Sequence, residues 1–326
     1  ISSFLERNKS PKYSFVYDQI VSFGELISTQ IISHYLNDKG IRNTWLDARN
    51  LVKTNSNYQE GEVDWQETER SIRESINPSL MYVTQGFIGS DPNYFTTTLG
   101  REGSDYSAAI FAYCLKGENV TIWKDVAGVL NADPRYFSQT QLLEKIPYQE
   151  AIELAFYGAS VIHPKTLQPL QRLDIPLNVR SFLHPEQAGS SVCNVKELSP
   201  KIPCYIRKQH QHLLSLSSLD FSFIAEENIS FIFNLLATYQ IKVSLLQNSA
   251  ISFNLCIEDK YKNLSFLLED LSKRFKVSCT ENVVLYTVRH AQQDSFDFLG
   301  QDKEILLEQF AQNTQQKIVR DETLIL

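Results

Sequence analysis

The sequence predicts an α/β protein with a mainly parallel sheet, followed by a smaller domain of βαββαβ order. Three observations carry this expectation. Short apolar runs alternate with helical stretches through the first part of the chain. Glycines interrupt the chain just beyond apolar runs, where ligands collect at the carboxyl ends of strands in open sheets. A proline-punctuated segment, Ser199-Pro200-Lys201-Ile202-Pro203, then precedes a strand, helix, strand, strand, helix, strand succession.

In chain order, Asp18 to Asn37 reads as a helix, with Ile20, Phe23, Ile27 and Ile31 on one apolar face and Val21, Glu25 and Ser28 on the next. Thr44 to Leu46 reads as a short strand, Asp64 to Ile76 as a helix and Leu80 to Thr84 as a buried strand. Gly86 and Gly89 then break the chain around Phe87. The stretch Thr96-Thr97-Thr98-Leu99-Gly100-Arg101-Glu102-Gly103-Ser104-Asp105 opens a helix from Tyr106 to Lys116. Gly100 and Gly103 permit positive φ and close backbone approach. Arg101 offers a planar fork for a carboxylate or phosphate, and Ser104 and Asp105 suit a helix cap whose amides favour an anion. A polar loop before a capped helix explains the same residues equally well.

Asn119 to Trp123 reads as a strand that places Lys124 and Asp125 at its end, and Asp133-Pro134-Arg135 as a turn. Glu150 to Tyr157 is helical and ends at Gly158, His163 before Pro164 is structural, and Leu177 to Arg180 forms the last strand of the first domain. Beyond the boundary come Leu213 to Leu216, Ile229 to Tyr239, Ile241 to Leu246, Ile251 to Ile257, Leu264 to Phe275 and Val277 to Cys279. Val283 to Arg289 opens a further, reduced module, with a short helix near Asp294 to Leu299 and strands at Ile305 to Phe310 and Gln316 to Val319. The expected domains are therefore 1–203 and 204–326.

Composition limits the function classes. A length of 326 residues suits two or three domains with cores of their own, and 43% hydrophobic with 21% charged residues is ordinary for a globular protein. The net charge of -7 argues against a nucleic-acid partner. Five scattered cysteines without a CxxC pair suggest neither a disulfide framework nor a zinc site, and a reducing cytoplasm fits them. No apolar run reaches the roughly 18 residues of a membrane helix, and the first residues are not a signal peptide.

The loop Thr-Thr-Thr-Leu-Gly-Arg-x-Gly-Ser-Asp at 96–105 resembles aspartate kinases of the amino-acid kinase family. So do Phe23-Gly24-Glu25-Leu26-Ile27-Ser28-Thr29, Thr84-Gln85-Gly86-Phe87-Ile88-Gly89, Ile122-Trp123-Lys124-Asp125-Val126 with Gly128, Asp133-Pro134-Arg135, and Tyr157-Gly158-Ala159 with Val161-Ile162-His163-Pro164, in the family's order.

The resemblance implies an amino-acid-kinase-like three-layer sandwich that transfers the γ-phosphoryl of MgATP to the β-carboxylate of L-aspartate. The product, 4-phospho-L-aspartate, begins lysine, threonine and methionine biosynthesis. It implies that Arg101 grips the substrate α-carboxylate and Glu25 its ammonium, with Val21, Phe87, Thr98 and Ser104 completing the pocket. Asp105 is implied to hold the phosphate-binding lysine of an N-terminal Lys-Phe-Gly-Gly turn. No such turn occurs in this sequence, so the catalytic half is expected to be N-terminally incomplete. On the ATP side the implied residues are Lys124, Asp125, Leu130, Arg135, Ser160 and Val161. Ser160 replaces a common lysine, Leu130 a common aromatic residue and Lys124 a common threonine. Magnesium is expected on ATP oxygens and water, without protein ligands.

The βαββαβ domain resembles ACT modules, which implies dimerisation and an amino-acid effector, lysine or threonine. Ser244 and Ala250 replace the two carboxylates of lysine-sensitive relatives, so lysine inhibition is expected to be weak or absent. Two other readings stay open: a non-catalytic ACT-bearing regulatory chain, and a kinase of the same fold with another acceptor.

Overall fold

The computed structural model describes residues 2–159, 162–219, 223–300 and 303–320. The chain forms two compact units. The first comprises Ile1–Val129, Leu142–Phe156 and Ser160–Pro200; the second comprises Leu130–Gln141, Tyr157–Ala159 and Lys201–Leu326.

The first unit begins with α1 (Ser2–Arg7) and the long α2 (Tyr13–Asp38). Helix α2 buries Asp18, Ser22, Leu26, Thr29 and Ser33, whereas Ile27 and Ile31, expected to lie on its core face, are 55% and 63% exposed. Hydrogen bonds decide this orientation. Gln19 clasps the backbone of Thr96 through both ends of its amide, at 2.7 and 3.1 Å, and Asp18 binds Thr98. An inner face of short polar side chains lets the helix approach a loop whose backbone needs partners. Ile31→Ser is accordingly expected to change stability by no more than about 0.5 kcal/mol in urea denaturation, as at other exposed positions.

Next come β1 (Thr44–Trp45), α3 (Ala48–Leu51), α4 (Trp65–Ser75) and β2 (Tyr82–Val83), with β1 and β2 parallel. Asp47 and Asp64 cap the two helices by accepting from Arg49 N and Glu67 N. The strand expected at Leu80 to Thr84 is reduced to two half-buried residues, because Leu80 and Met81 face solvent. Gly89 does not break the chain. It lies inside β3 (Ile88–Ser90), which pairs antiparallel with β4 (Thr96–Thr98). A Cβ there would stand 2.7 Å from the Val52 carbonyl, so the position is a close backbone crossing.

Helix α5 (Gly103–Leu115) and β5 (Val120–Lys124) follow, then β6 (Lys145–Pro147), α6 (Tyr148–Tyr157), α7 (Pro164–Arg172), β7 (Leu177–Ser181) and β8 (Ser190–Cys193). Strand β7 is not the last of its sheet, as β8 returns beside it and gives the order β5-β7-β8-β6. The β5–β7 and β6–β8 pairs are parallel and β7–β8 is antiparallel. His163 is structural, since its Nδ1 accepts from Lys165 N at the start of α7.

The second unit is one six-stranded antiparallel sheet of order β10-β11-β9-β12-β14-β13. Its strands and helices run β9 (Cys204–Ser218), α8 (Glu226–Thr238), β10 (Lys242–Asn248), β11 (Ser252–Glu258), α9 (Leu264–Ser272), β12 (Phe275–Arg289), β13 (Ile305–Ala311) and β14 (Thr314–Arg320). The first four strands have the ferredoxin-like arrangement. Helices α8 and α9 cover one face through Ile232, Leu236, Leu264, Leu267 and Leu271. The opposite face buries Leu213, Leu245, Cys256, Val283, Leu285, Leu307 and Ile318 without a helix. The sheet curls to do so, bringing its edge strands together where Gln247 Nε2 donates to Glu308 O at 3.4 Å.

The strands expected separately at Val277–Cys279 and Val283–Arg289 are one strand, β12, whose register shifts between Thr280 and Val283, with Asn282 at φ 54. A bulge absorbs the polar interruption. Val283 to Arg289 therefore extends the first sheet rather than opening a new one, with β14 paired along it. Among the described residues, no helix is long and apolar enough to cross a membrane.

Candidate active site

The substrate-side candidates gather where two loops of the first unit cross. One is Gln85-Gly86-Phe87 and the other Gly100 to Asp105. A Cβ on Gly86 would lie 2.6 Å from Ser104 Oγ and 2.9 Å from Ser104 Cα; one on Gly103 would lie 2.6 Å from Phe87 Cβ. Glycine is required at both positions for contact rather than for torsion. The left-handed residues are Gly100 (φ 83), Phe87 (φ 52) and Glu102 (φ 53). Phe87 is held in this conformation from both sides. Its N–H donates to Ser107 Oγ at 2.9 Å, its carbonyl accepts from Leu99 N at 2.9 Å, and Ser107 in turn donates to Gly103 O.

Glu25 reaches this crossing from α2, its Oε1 accepting from Gly86 N at 3.3 Å. Val21, one turn earlier, is half-buried. Beneath Glu25, Thr29 Oγ1 donates to the Glu25 carbonyl and accepts from Gln85 Nε2 at 2.8 Å, while Gln85 Oε1 accepts from Ala48 N. Gln85 is 1% exposed, so a buried amide ties α2, α3 and the glycine loop together. Arg101 and Ser104 are exposed at the second loop. Ser104 and Asp105 do not cap α5. Its N-cap is Glu102, which makes no side-chain cap bond. Asp105 instead forms an ion pair with Lys124 at 3.0 Å.

Thr98 faces inward. Its N–H donates to Asp18 Oδ2 and its hydroxyl to Asp18 Oδ1, both at 2.9 Å, and Gln59 N donates to the same carboxylate at 2.9 Å. Asp18 is fully buried, and that desolvation raises its pKa above the usual carboxylate value despite these hydrogen bonds. Its hydroxyl proton being committed, Thr98 sets the position of the loop instead of donating outward.

Lys124 ends β5 and Asp125 follows it, exposed. Leu130 and Arg135 belong to the second unit. There the Arg135 guanidinium is engaged by Asp133 at 2.6 to 3.0 Å, which holds the Asp133 carboxyl below its usual pKa. Ser160 and Val161 lie outside the described residues. In the ACT-like sheet, Ser244 sits at a register shift of β10 and Ala250 in the exposed β10–β11 turn.

The profile of the amino acid kinase family matches residues 3–181, more than half of the chain. The chain belongs to the amino acid kinase family. It is 36% identical over 283 residues to lysine-sensitive aspartokinase 3 of Escherichia coli, covering 82% of this chain and 62% of that protein. It is 32% identical over 244 residues to an aspartokinase of Chlamydia pneumoniae, covering 73% of this chain and 54% of that one. The chain thus spans little more than half the length of these relatives. Among solved structures, E. coli aspartokinase III in complex with aspartate and ADP superposes with a TM-score of 0.80 at 29% identity, covering 98% of this chain and 75% of the other.

In this member of the amino acid kinase family, Glu25, Gly86, Phe87, Gly103 and Ser104 lie at one crossing of two loops. Asp18, Thr29, Gln85 and Ser107 carry the loops from behind, and none of them is a site candidate in the sequence. Asp18 reads only as a helix start. The 3.6-residue apolar period gives no signal for it, since Asp18 lies on the face of the helix opposite Ile20, Phe23, Ile27 and Ile31.

Proposed function

We propose that this chain is the catalytic and amino-acid-sensing part of an aspartate kinase, transferring the γ-phosphoryl of MgATP to the β-carboxylate of L-aspartate. The observation that carries the reading is the loop crossing at Gly86, where Glu25 Oε1 accepts from the Gly86 N–H and Ser104, three residues after the exposed Arg101, packs against the glycine. A carboxylate at the crossing and a guanidinium on the same loop as Ser104 suit the ammonium and α-carboxylate of one amino acid. The ADP and aspartate in the E. coli aspartokinase III complex support the choice of donor and acceptor.

Chemically, an aspartate β-carboxylate oxygen attacks the γ-phosphorus, the bond to the bridging oxygen breaks, and ADP leaves with its electron pair. The nucleophile is already ionised at neutral pH, so no general base is needed. Positioning and charge neutralisation do the work. Glu25 orients the ammonium, Arg101 the α-carboxylate and Ser104 a carboxylate oxygen, while Phe87 and Val21 line the methylene. Thr98 fixes the loop, and Lys124 and Asp125 stand on the nucleotide side. Magnesium arrives on the nucleotide as MgATP. The setting proposed is cytoplasmic lysine, threonine and methionine biosynthesis, with dimerisation through the ACT-like sheet and weak response to lysine.

The test is L-aspartate-dependent ADP release, with calorimetric binding of L-aspartate to the same protein. Release with aspartate and not glutamate supports the reading; binding of neither aspartate nor nucleotide overturns it. Arg101→Ala is expected to weaken L-aspartate binding about tenfold, as loss of an exposed charge-assisted contact does, and to leave nucleotide binding unchanged. The same calorimetry checks both.

A further inference from the structure

A transferring phosphoryl between an attacking carboxylate and a departing diphosphate needs a cation beside it. Arg101 is taken up by the substrate in the reading above. The first unit holds a second cation close by. Lys124 is the last residue of β5, and its Nζ lies 3.0 Å from Asp105 Oδ2. Asp105 sits in the first turn of α5, next to Ser104 and four residues after Arg101. The ion pair thus carries a strand-end ammonium to the rim of the substrate loop.

Neither side chain is sealed, at 24% and 16% exposed. A pair this accessible contributes little to stability. A lysine on a flexible four-carbon stem can also change partners without moving the backbone. Asp105 meanwhile does no capping work for α5, so its carboxylate is committed to the lysine.

We propose that Lys124 is the phosphate-neutralising lysine of this chain, held in place by Asp105 and transferred to the β- and γ-phosphate oxygens when MgATP binds. The inference rests on the aspartate kinase reading and adds which cation meets the nucleotide. Asp105 is a positioning residue here. Its single charge sets where the ammonium waits, and the more highly charged polyphosphate takes it over.

The test uses the whole 326-residue chain and calorimetry with MgADP, a magnesium complex of a non-hydrolysable ATP analogue, and adenosine, with a thermal melt for each variant. Lys124→Met is expected to weaken both nucleotides about tenfold or more while adenosine changes less than about twofold. Lys124→Arg should stay within about threefold of the parent, since charge is kept but the point donor is altered. Asp105→Asn should tighten the ATP analogue about two- to fivefold, because the phosphate no longer competes with a carboxylate. A parallel loss for nucleotides and adenosine in Lys124→Met, or equal weakening by Asp105→Asn, would mark the pair as structural and overturn the proposal. Nucleotide binding indifferent to Lys124 overturns this inference alone. Aspartate binding without any nucleotide binding overturns it together with the donor half of the kinase reading.

Discussion

Gly86→Ala is expected to weaken L-aspartate binding about a hundredfold and to cost about 2 kcal/mol of stability, the usual range for forcing a methyl into a packed contact. The added Cβ would stand 2.6 Å from Ser104 Oγ, 2.8 Å from Ser104 Cβ and 2.9 Å from Ser104 Cα. The hydroxyl could rotate away, but the Cα belongs to the first turn of α5 and retreats only with it. Arg101 and Asp105 would move as well. On the other side, the Gly86 N–H bond to Glu25 is already 3.3 Å long and has little slack. One methyl therefore separates the two groups proposed to hold the ends of the amino acid. Urea denaturation and calorimetry read the two effects separately. The double variant with Ser104→Gly is expected to recover part of the stability, since it removes two of the three close atoms, and little of the binding. Full binding by Gly86→Ala would mean that the loop crossing is not the substrate site.

How much of this was legible in the sequence depends on whether local pattern or distant partner decided the outcome. The strand at Val120–Lys124, the capped helix from Asp64 and the βαββαβ succession follow from runs and caps that need no knowledge of neighbours. Helix α2 does not. Its apolar period points one way and its burial the other, because Gln19 and Asp18 satisfy backbone groups of Thr96 and Thr98, 77 to 80 residues away. A hydrophobic period reports which face is oily, and a helix packed on a loop can be oriented by hydrogen bonds instead.

The same distinction runs through the site. Glu25, Phe87, Arg101 and Ser104 were visible as motif letters, whereas the reasons for their positions were not. Gly103 suggested a positive φ, yet the left-handed residue is its neighbour Glu102, and Gly103 is needed for the 2.6 Å approach to Phe87. The Asp105–Lys124 pair joins a helix start to a strand end, and only the fold makes them neighbours. In the second unit, the polar run Thr280-Glu281-Asn282 looks like a break between strands and is a bulge within one.

Asp18→Ala is expected to destabilise the protein by about 3 kcal/mol, because it strands three donors in a site where water cannot replace the carboxylate. Those donors are the Gln59 and Thr98 amides and the Thr98 hydroxyl. Asp18→Asn should behave differently. Its carbonyl oxygen can accept both amides, as Asp18 Oδ2 now does, and its amino group can donate to Thr98 Oγ1 once the hydroxyl turns to accept. The cost should then be about 1 kcal/mol or less at pH 7, with the desolvation of a buried charge relieved. The pH dependence separates the two effects. Burial raises the folded-state pKa of Asp18 above its ordinary value of 3.8. The folded protein therefore binds this proton more readily than the unfolded chain. Its stabilising contribution is complete below pH 3.8 and is lost as pH rises through the elevated folded pKa. Urea denaturation across that window should show the parent losing stability relative to Asp18→Asn as pH rises, and a constant difference would mean that Asp18 is not titrating there. Because Thr98 leads directly into Gly100 and Arg101, Asp18→Ala should also weaken L-aspartate binding, whereas Asp18→Asn should preserve it.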